Sequence, residues 1–251
     1  MKTLQDKQAE FLHNQGVMEK AEVFWGWGTP AGEKRGLRRV EKILEYLQPC
    51  EGKHFLELGC GKGWFTQRLK DCGARVTAFD IQKEFVEVAR QRMPEPHVDF
   101  LVADSEFLPF AAESFDASYG AVVLHHLPIQ TTLGELNRVL KPGAKIIYSE
   151  PNMLNPQLMV MKNIWWIGRR MGESPNETAF FKWQMKGLLR RHGFTDIQVE
   201  PFDFLHPMTP PSWIERVQRL GCFLERTPLA REIAGSLDIR AVRPYKGVDA
   251  R

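Results

Sequence analysis

The sequence predicts an α/β fold, a parallel sheet with helices on both faces, and three observations predict it. Short apolar runs alternate with segments of helical periodicity through the middle of the chain, as βαβ units do. The first run ends in the glycine-rich stretch Gly59-Cys60-Gly61-Lys62-Gly63. The next two end in Asp80 and Asp104, which sets acidic groups along the carboxyl edge where α/β sheets bind ligands.

Leu37, Val40, Ile43, Leu44 and Leu47 recur at helical spacing and form an amphipathic helix, preceded by an aromatic-glycine loop at Phe24–Gly28. His54–Leu58 is the first strand. Phe65, Leu69 and Cys72 mark the next helix, and Ala74–Phe79 the second strand. Phe85, Ala89 and Met93 mark a helix stopped by Pro94 and Pro96. Val98–Val102 and Phe115–Tyr119 are the third and fourth strands. Leu133, Leu136, Val139 and Leu140 line a helix that reaches the turn Lys141-Pro142-Gly143, ahead of a fifth strand at Lys145–Ser149. Each strand–helix–strand step implies a right-handed crossover. Beyond it the pattern predicts an apolar helix at Leu158–Ile167, a loop at Ser174-Pro175-Asn176 and a helix over Lys182–His192. A strand at Phe194–Glu200, a proline- and aromatic-rich loop at Phe202–Pro211 and a helical stripe of Trp213, Val217, Leu220 and Leu224 follow. Leu237–Val242 is the last strand. No repeat or linker interrupts the chain, so a single domain is expected: a helical cover over 1–48, a binding core over 49–150, and helical additions with the last strands over 151–251.

Composition narrows the class. The chain has 251 residues, and a domain of that size buries roughly 70–75% of the surface its unfolded chain exposes, so neither disulfide nor metal is needed for folding. Hydrophobic residues at 43% and charged residues at 26% exclude a disordered chain. No apolar run reaches the ~18 residues of a membrane span, and Met1–Glu10 is too polar for a secretory signal. Cys50, Cys60, Cys72 and Cys222 contain no CxxC pair, so no metal site is expected, and free thiols fit a cytoplasmic location. A net charge of +3 does not by itself point to nucleic acid.

The glycine turn carries the chemistry. Glycine lets the backbone turn tightly and approach a ligand. A dinucleotide fingerprint starting at Gly59 would require glycine at position 64, which is Trp64, so a dehydrogenase is disfavoured. Glu57, just before the glycines, would repel a phosphate but suits a cationic or amine-bearing ligand. Asp80 lies 21 positions after Gly59, where a carboxylate accepts hydrogen bonds from ribose hydroxyls. Asp104 ends the third strand, where it can meet an adenine amino group. These features describe a site for a nucleoside with a positive tail and no phosphate, and S-adenosylmethionine fits that description.

On these residues the sequence resembles the class I S-adenosylmethionine-dependent methyltransferases, and among them the small-molecule type 11 subgroup. Glu57–Gly63 is similar to the family's first motif, Asp80 to its acid after strand two, and Asp104 to its adenine-contacting acid. Phe115–Ala121 with Val123-Leu124-His125-His126-Leu127 resembles the fourth-strand motif, and Leu136–Gly143 the segment before strand five. The resemblance implies a Rossmann-like, seven-stranded, mostly parallel sheet whose last strand is antiparallel. It also implies S-adenosylmethionine as cofactor, with S-adenosylhomocysteine as product and no metal. The expected cofactor site comprises Glu57, Gly59, Cys60, Gly61, Gly63, Asp80, Ile81, Asp104, Ser105 and Gly120. The Trp25–Gly28 loop would close over the methionine end, with Trp25 against the cofactor and Arg35 or Arg38 meeting its carboxylate; alternatively its aromatics pack beneath the first helix and the arginines are solvated.

Methyl transfer mainly requires that the acceptor be oriented and water excluded. Where the acceptor needs a general base, His125 and His126 are the candidates, because histidine titrates near neutrality. The competing reading makes them a packed helix start. His206 is a weaker candidate. The Leu158–Ile167 helix is either a buried helix or an interfacial one, with Trp165 and Trp166 at headgroup depth, that meets a lipid-linked acceptor. The flanks are rich in Trp, Phe, Met and Pro and suit a small, apolar or aromatic acceptor, and a cover is expected from Trp25–Gly28, Leu158–Ile167 and Phe202–Pro211. The rivals are an RNA methyltransferase and a cofactor-binding module without activity. Ser118-Tyr119-Gly120-Ala121 stands where amino-directed nucleic-acid enzymes carry an Asn/Asp-Pro-Pro-aromatic motif, which disfavours nucleic acid. Oligomeric state and the methylated atom are not legible.

Overall fold

In the computed structural model of the chain, residues 27–163 and 179–245 are described, with 161–163 as backbone alone. The first helix, α1 (Pro30–Leu47), begins where its sequence provides a cap: Thr29 Oγ1 accepts the Gly32 N–H at 3.0 Å, and proline occupies the first turn. Then follow β1 (His54–Leu58), α2 (Trp64–Leu69), β2 (Arg75–Asp80), α3 (Lys83–Arg92), β3 (Val98–Val102), β4 (Phe115–Ala121), α4 (Ile129–Val139) and β5 (Leu140–Pro151). The second half contributes α5 (Pro156–Asn163), α6 (Lys182–Arg191), β6 (Thr195–Phe202), α7 (Ile214–Glu225), α8 (Pro228–Arg231) and β7 (Ser236–Val242).

The strands form one sheet in the order β3-β2-β1-β4-β5-β7-β6. The pairs among β1 to β5 are parallel, and β7 runs antiparallel to β5 and β6. Alternation along β1 divides the core. Phe55 faces α1, α2 and α3 with Val40, Ile43, Phe65 and Val86, whereas Leu56 and Leu58 face α4 and α6 with Leu133, Leu136, Met185 and Leu189.

Three expectations change. The expected turn at Lys141-Pro142-Gly143 lies within β5, since Leu140 already pairs with Phe115 and a register shift follows between Phe115 and Ala117. In α1, Leu37 is exposed and Arg39 is buried, because the guanidinium has a buried acid to meet. In α7, Ile214 and Gly221 are the buried residues, while Trp213 and Leu220 of the expected stripe face solvent. The Ser174-Pro175-Asn176 loop and the end of the Leu158–Ile167 helix lie outside the described residues. No described helix is long and apolar enough to cross a membrane.

The segments that follow β5 and β6 leave the sheet on one edge. Pro151 pairs with Ser236, and Ser236 with Phe202, so the carboxyl ends of both strands lie side by side across the first residue of β7. Leu58 and Ala121 end their parallel strands toward the same edge.

Candidate active site

The chain leaves β1 through three glycines with positive φ: 64° at Gly59, 51° at Gly61 and 82° at Gly63. A Cβ at Gly59 would stand 2.3 Å from Val123 Cγ2, so the loop is pressed against the end of β4. Trp64, at the place of a fingerprint's third glycine, is instead housed by Gly36 of α1, where a Cβ would fall 2.2 Å from its ring. The turn is anchored to β2 twice. Cys60 N–H donates to Phe79 O at 3.0 Å, and Gly61 N–H donates to Asp80 Oδ2 at 2.9 Å.

Asp80 accepts Gln82 N–H on its other oxygen at 2.9 Å. Burial raises its pKa, and the backbone amides of Gln82, Gly61 and Ile81 act against that rise. Two carboxylate oxygens offer about four lone-pair directions, so both retain capacity for an outside donor. Glu57 lies beneath the loop, buried, and accepts the Tyr119 hydroxyl on Oε2 at 2.7 Å. Burial pushes its pKa up to about 7, opposed by Thr66 of α2 and by Tyr119. Asp104 follows β3, and its Oδ1 accepts Glu106 N–H at 3.0 Å. Ser105 is buried and accepts the Thr132 hydroxyl at 3.1 Å. Ile81 and Phe107 leave large apolar surfaces exposed, one residue after Asp80 and three after Asp104. Gly120 has a different reason to be glycine: a Cβ there would meet Tyr148 Cε1 at 2.9 Å and Leu58 O at 3.0 Å, which locks β1, β4 and β5 together below the loop.

Beyond β4 the backbone is strained. Val122 is β-branched yet has φ of 58°, held by its N–H on Ser149 O at 2.8 Å. Glu150 then organises the next turn. Its Oε1 accepts Val123 N–H at 3.0 Å and Leu124 N–H at 2.8 Å, and its Oε2 lies 2.7 Å from His125 Nδ1. A carboxylate oxygen accepts, so Nδ1 carries the proton. His125 is buried and turned to Glu150, whereas His126 is part-exposed and its electrostatic partner is Asp80. The two rings stand 3.9 Å apart. The structure therefore separates the two histidines that the sequence could not.

Arg35, expected at the methionine end of the cofactor or in solvent, is paired with a buried acid. Its Nε donates to Asp203 Oδ2 at 2.7 Å, with Arg39 donating to the same oxygen at 2.9 Å and to Ser236 Oγ at 2.7 Å. Arg38 pairs with Glu225. Arg35 and Arg39 tie α1 to the segment after β6, because Asp203 is a buried acid that needs compensation, and Arg38 ties α1 to α7. Burial would raise the Asp203 pKa, but Arg35 and Arg39 hold it at about 2; burial lowers that of Arg39 to about 10. Trp25 lies outside the described residues.

Residues that flank two segments of the expected cover, Thr29 and Gln157, meet the third, Phe202–Pro211. Thr29 Oγ1 donates to Pro207 O at 2.7 Å, and Gln157 Nε2 lies 3.0 Å from His206 Nε2. Among the described residues no group of three or more His, Cys, Asp or Glu could hold a metal ion. Sequence reasoning missed Tyr119, Val122, Glu150, Arg39 and Asp203. Only Glu150 had a signal, an acid at a strand end level with Asp80 and Asp104.

Known proteins resemble this chain in sequence and in fold. Residues 56–148, from β1 to β5, match the family described as a methyltransferase domain. Residues 56–148 are a methyltransferase domain of the type 11 family. The chain is 35% identical over 134 residues to an O-methyltransferase of Penicillium expansum, covering 49% of each chain. It is 37% identical over 112 residues to a malonyl-[acyl-carrier protein] O-methyltransferase of Erwinia pyrifoliae, covering 43% of this chain and 41% of that one. The chain thus spans about half the length of these curated relatives or less. A SAM-dependent methyltransferase of Thermotoga maritima has the same fold, with a TM-score of 0.68 at 18% identity over 93% of this chain and 99% of that one.

Proposed function

We propose that the chain transfers a methyl group from S-adenosylmethionine to the oxygen of a small, apolar or lipid-linked acceptor. The observation that carries this reading is the Asp80 carboxylate, fixed on Gly61 N–H and still able to accept, with Glu57 buried beneath the same loop. Asp80 would take the ribose hydroxyls, Asp104 the adenine amino group, and Ile81 and Phe107 would flank the base. The loop backbone and Glu57 would receive the cationic methionine end. Bound there, the cofactor supplies a methyl activated by its sulfonium.

The remaining tasks fall to this chain's residues. His126, beside Asp80, would accept the proton of the acceptor hydroxyl, and His125 would position it through Glu150. The segments that meet at Thr29–Pro207 and Gln157–His206 would exclude water. Oxygen is favoured as acceptor atom because both sequence relatives are named O-methyltransferases.

Calorimetry tests the reading. S-adenosylhomocysteine should bind and NADH should not, and Asp80→Ala should weaken binding by about ten- to a hundredfold, the loss of a charged hydrogen bond. Preferential NADH binding, or an unchanged affinity in a folded Asp80→Ala chain, rejects it. His126→Asn should lower the rate of methyl transfer to a phenolic acceptor while cofactor affinity holds.

A further inference from the structure

The surface of α7 is sorted in a way that the cofactor site does not require. Trp213, Leu220 and Phe223 fall on one helical face by their spacing, yet α7 buries the opposite side, with Ile214 in the core and Gly221 against Phe204. Trp213 is 54%, Leu220 58% and Phe223 66% exposed, and Leu229 in the adjoining α8 is 88% exposed. Single exposed apolar residues are ordinary, but an aligned Trp, Leu and Phe are not. Charge is sorted the same way. Both glutamates of α7 are engaged by α1, Glu215 by Lys34 and Glu225 by Arg38. Arg216, Arg219 and Arg226 are exposed; Arg219 Nε donates to Glu215 O at 3.4 Å and its charge acts on that glutamate, and among the described residues none of the three makes an ion pair within 4.0 Å. Arg216 lies over the Trp213 ring at 5.6 Å, its charge beside the apolar face.

We propose that this face docks on an anionic lipid surface, with Trp213, Leu220 and Phe223 entering the headgroup boundary and the three arginines meeting lipid phosphates and carboxylates. A second copy meeting it across a two-fold axis would set the arginines against themselves. Docking there would turn the segment 203–210, which leads directly into α7, toward the lipid. The proposal stands on the face itself and not on the identity of the acceptor.

Cosedimentation of the full chain with vesicles tests it, using equal parts phosphatidylcholine and phosphatidylserine against phosphatidylcholine alone. The chain should pellet with the anionic vesicles and be released by salt. Each arginine is worth roughly fivefold in partitioning at low salt, so Arg219→Ala with Arg226→Ala should cost about 25-fold. Leu220→Ser with Phe223→Ser should abolish pelleting. All four side chains are exposed, so an unchanged circular dichroism spectrum is expected of each variant. No pelleting, pelleting equal on both vesicles and indifferent to salt, or pelleting that survives both double variants overturns the proposal. So does a dimer in light scattering that Leu220→Ser with Phe223→Ser converts to monomer. None of these readouts depends on methyl transfer.

Discussion

Glu150 and His125 form a buried pair at the junction of β5 and the turn after β4, Oε2 to Nδ1 at 2.7 Å. The same carboxylate also gathers the N–H groups of Val123 and Leu124, so one side chain caps the whole turn. Hydrogen bonds to a charged group contribute about 1.5–3 kcal/mol, and an amide in place of the carboxylate would turn a donor toward those donors. Glu150→Gln should therefore lower unfolding free energy by about 2–4 kcal/mol, measured by urea titration at neutral pH. An unchanged midpoint and slope would show that the turn does not need the charge.

Glu57 makes stability depend on pH. Its folded pKa, raised by burial to about 7, stands above the ordinary 4.5, so its contribution is fully present below pH 4.5 and is lost as pH rises through 7. At about 1.4 kcal/mol per pH unit the loss reaches about 3 kcal/mol. Glu57→Gln should thus gain on the parent by about that amount between pH 4.5 and 8, since the other groups cancel in the difference. A difference that stays flat with pH would mean Glu57 is ionised throughout. A cationic ligand favours the ionised form, so affinity for S-adenosylmethionine should rise over the same interval.

The parallel strands and the glycine turn were legible because their signals are local: apolar runs of strand length, φ > 0 glycines, and acids at strand ends. The two histidines were legible only as a pair. Which one faces Asp80 depends on Glu150, 25 positions beyond His125, and on a register across β4 and β5 that no local pattern encodes. Arg35 reads from sequence as a charge for the methionine end or for solvent, and Arg39 carries no signal, because the acid that both meet, Asp203, arrives 164 residues after Arg39. The α7 stripe misled for a related reason. Periodicity reports an apolar face but not which side meets the protein, and Ile214 with Gly221 offered closer packing.

Gly59 and Gly61 should separate folding from binding. At Gly59 a Cβ adds a clash with Val123 to a left-handed φ, so Gly59→Ala should destabilise the chain by about 1–3 kcal/mol and disturb the Glu150-capped turn. Gly61→Val should leave the melting temperature closer to the parent's while S-adenosylhomocysteine binding is lost in calorimetry. If Gly61→Val still binds normally, the loop serves only as a turn.

The cover is predicted to depend on Asp203. Its carboxylate offsets the buried guanidinium of Arg39, and breaking a buried pair from one side costs about 3–5 kcal/mol because the other charge stays behind. Asp203→Asn should show that loss at neutral pH, whereas Arg35→Ala, which leaves the Arg39 contact in place, should cost about 1–2 kcal/mol. Arg35 and Arg39 hold the Asp203 pKa at about 2 against burial, so the stabilisation is present above the ordinary 3.8 and is lost as pH falls toward 2. The deficit of Asp203→Asn should therefore shrink in acid. Hydrogen exchange locates the consequence: amides of Leu205 to Met208 should exchange faster in Asp203→Asn, because the same side chain holds Leu205 N–H at 3.2 Å. Adding S-adenosylhomocysteine should slow them in the parent and less so in the variant. Equal costs for the two substitutions, with unchanged exchange at Leu205 to Met208, would detach Asp203 from the cover and leave α1 and that segment as independent neighbours.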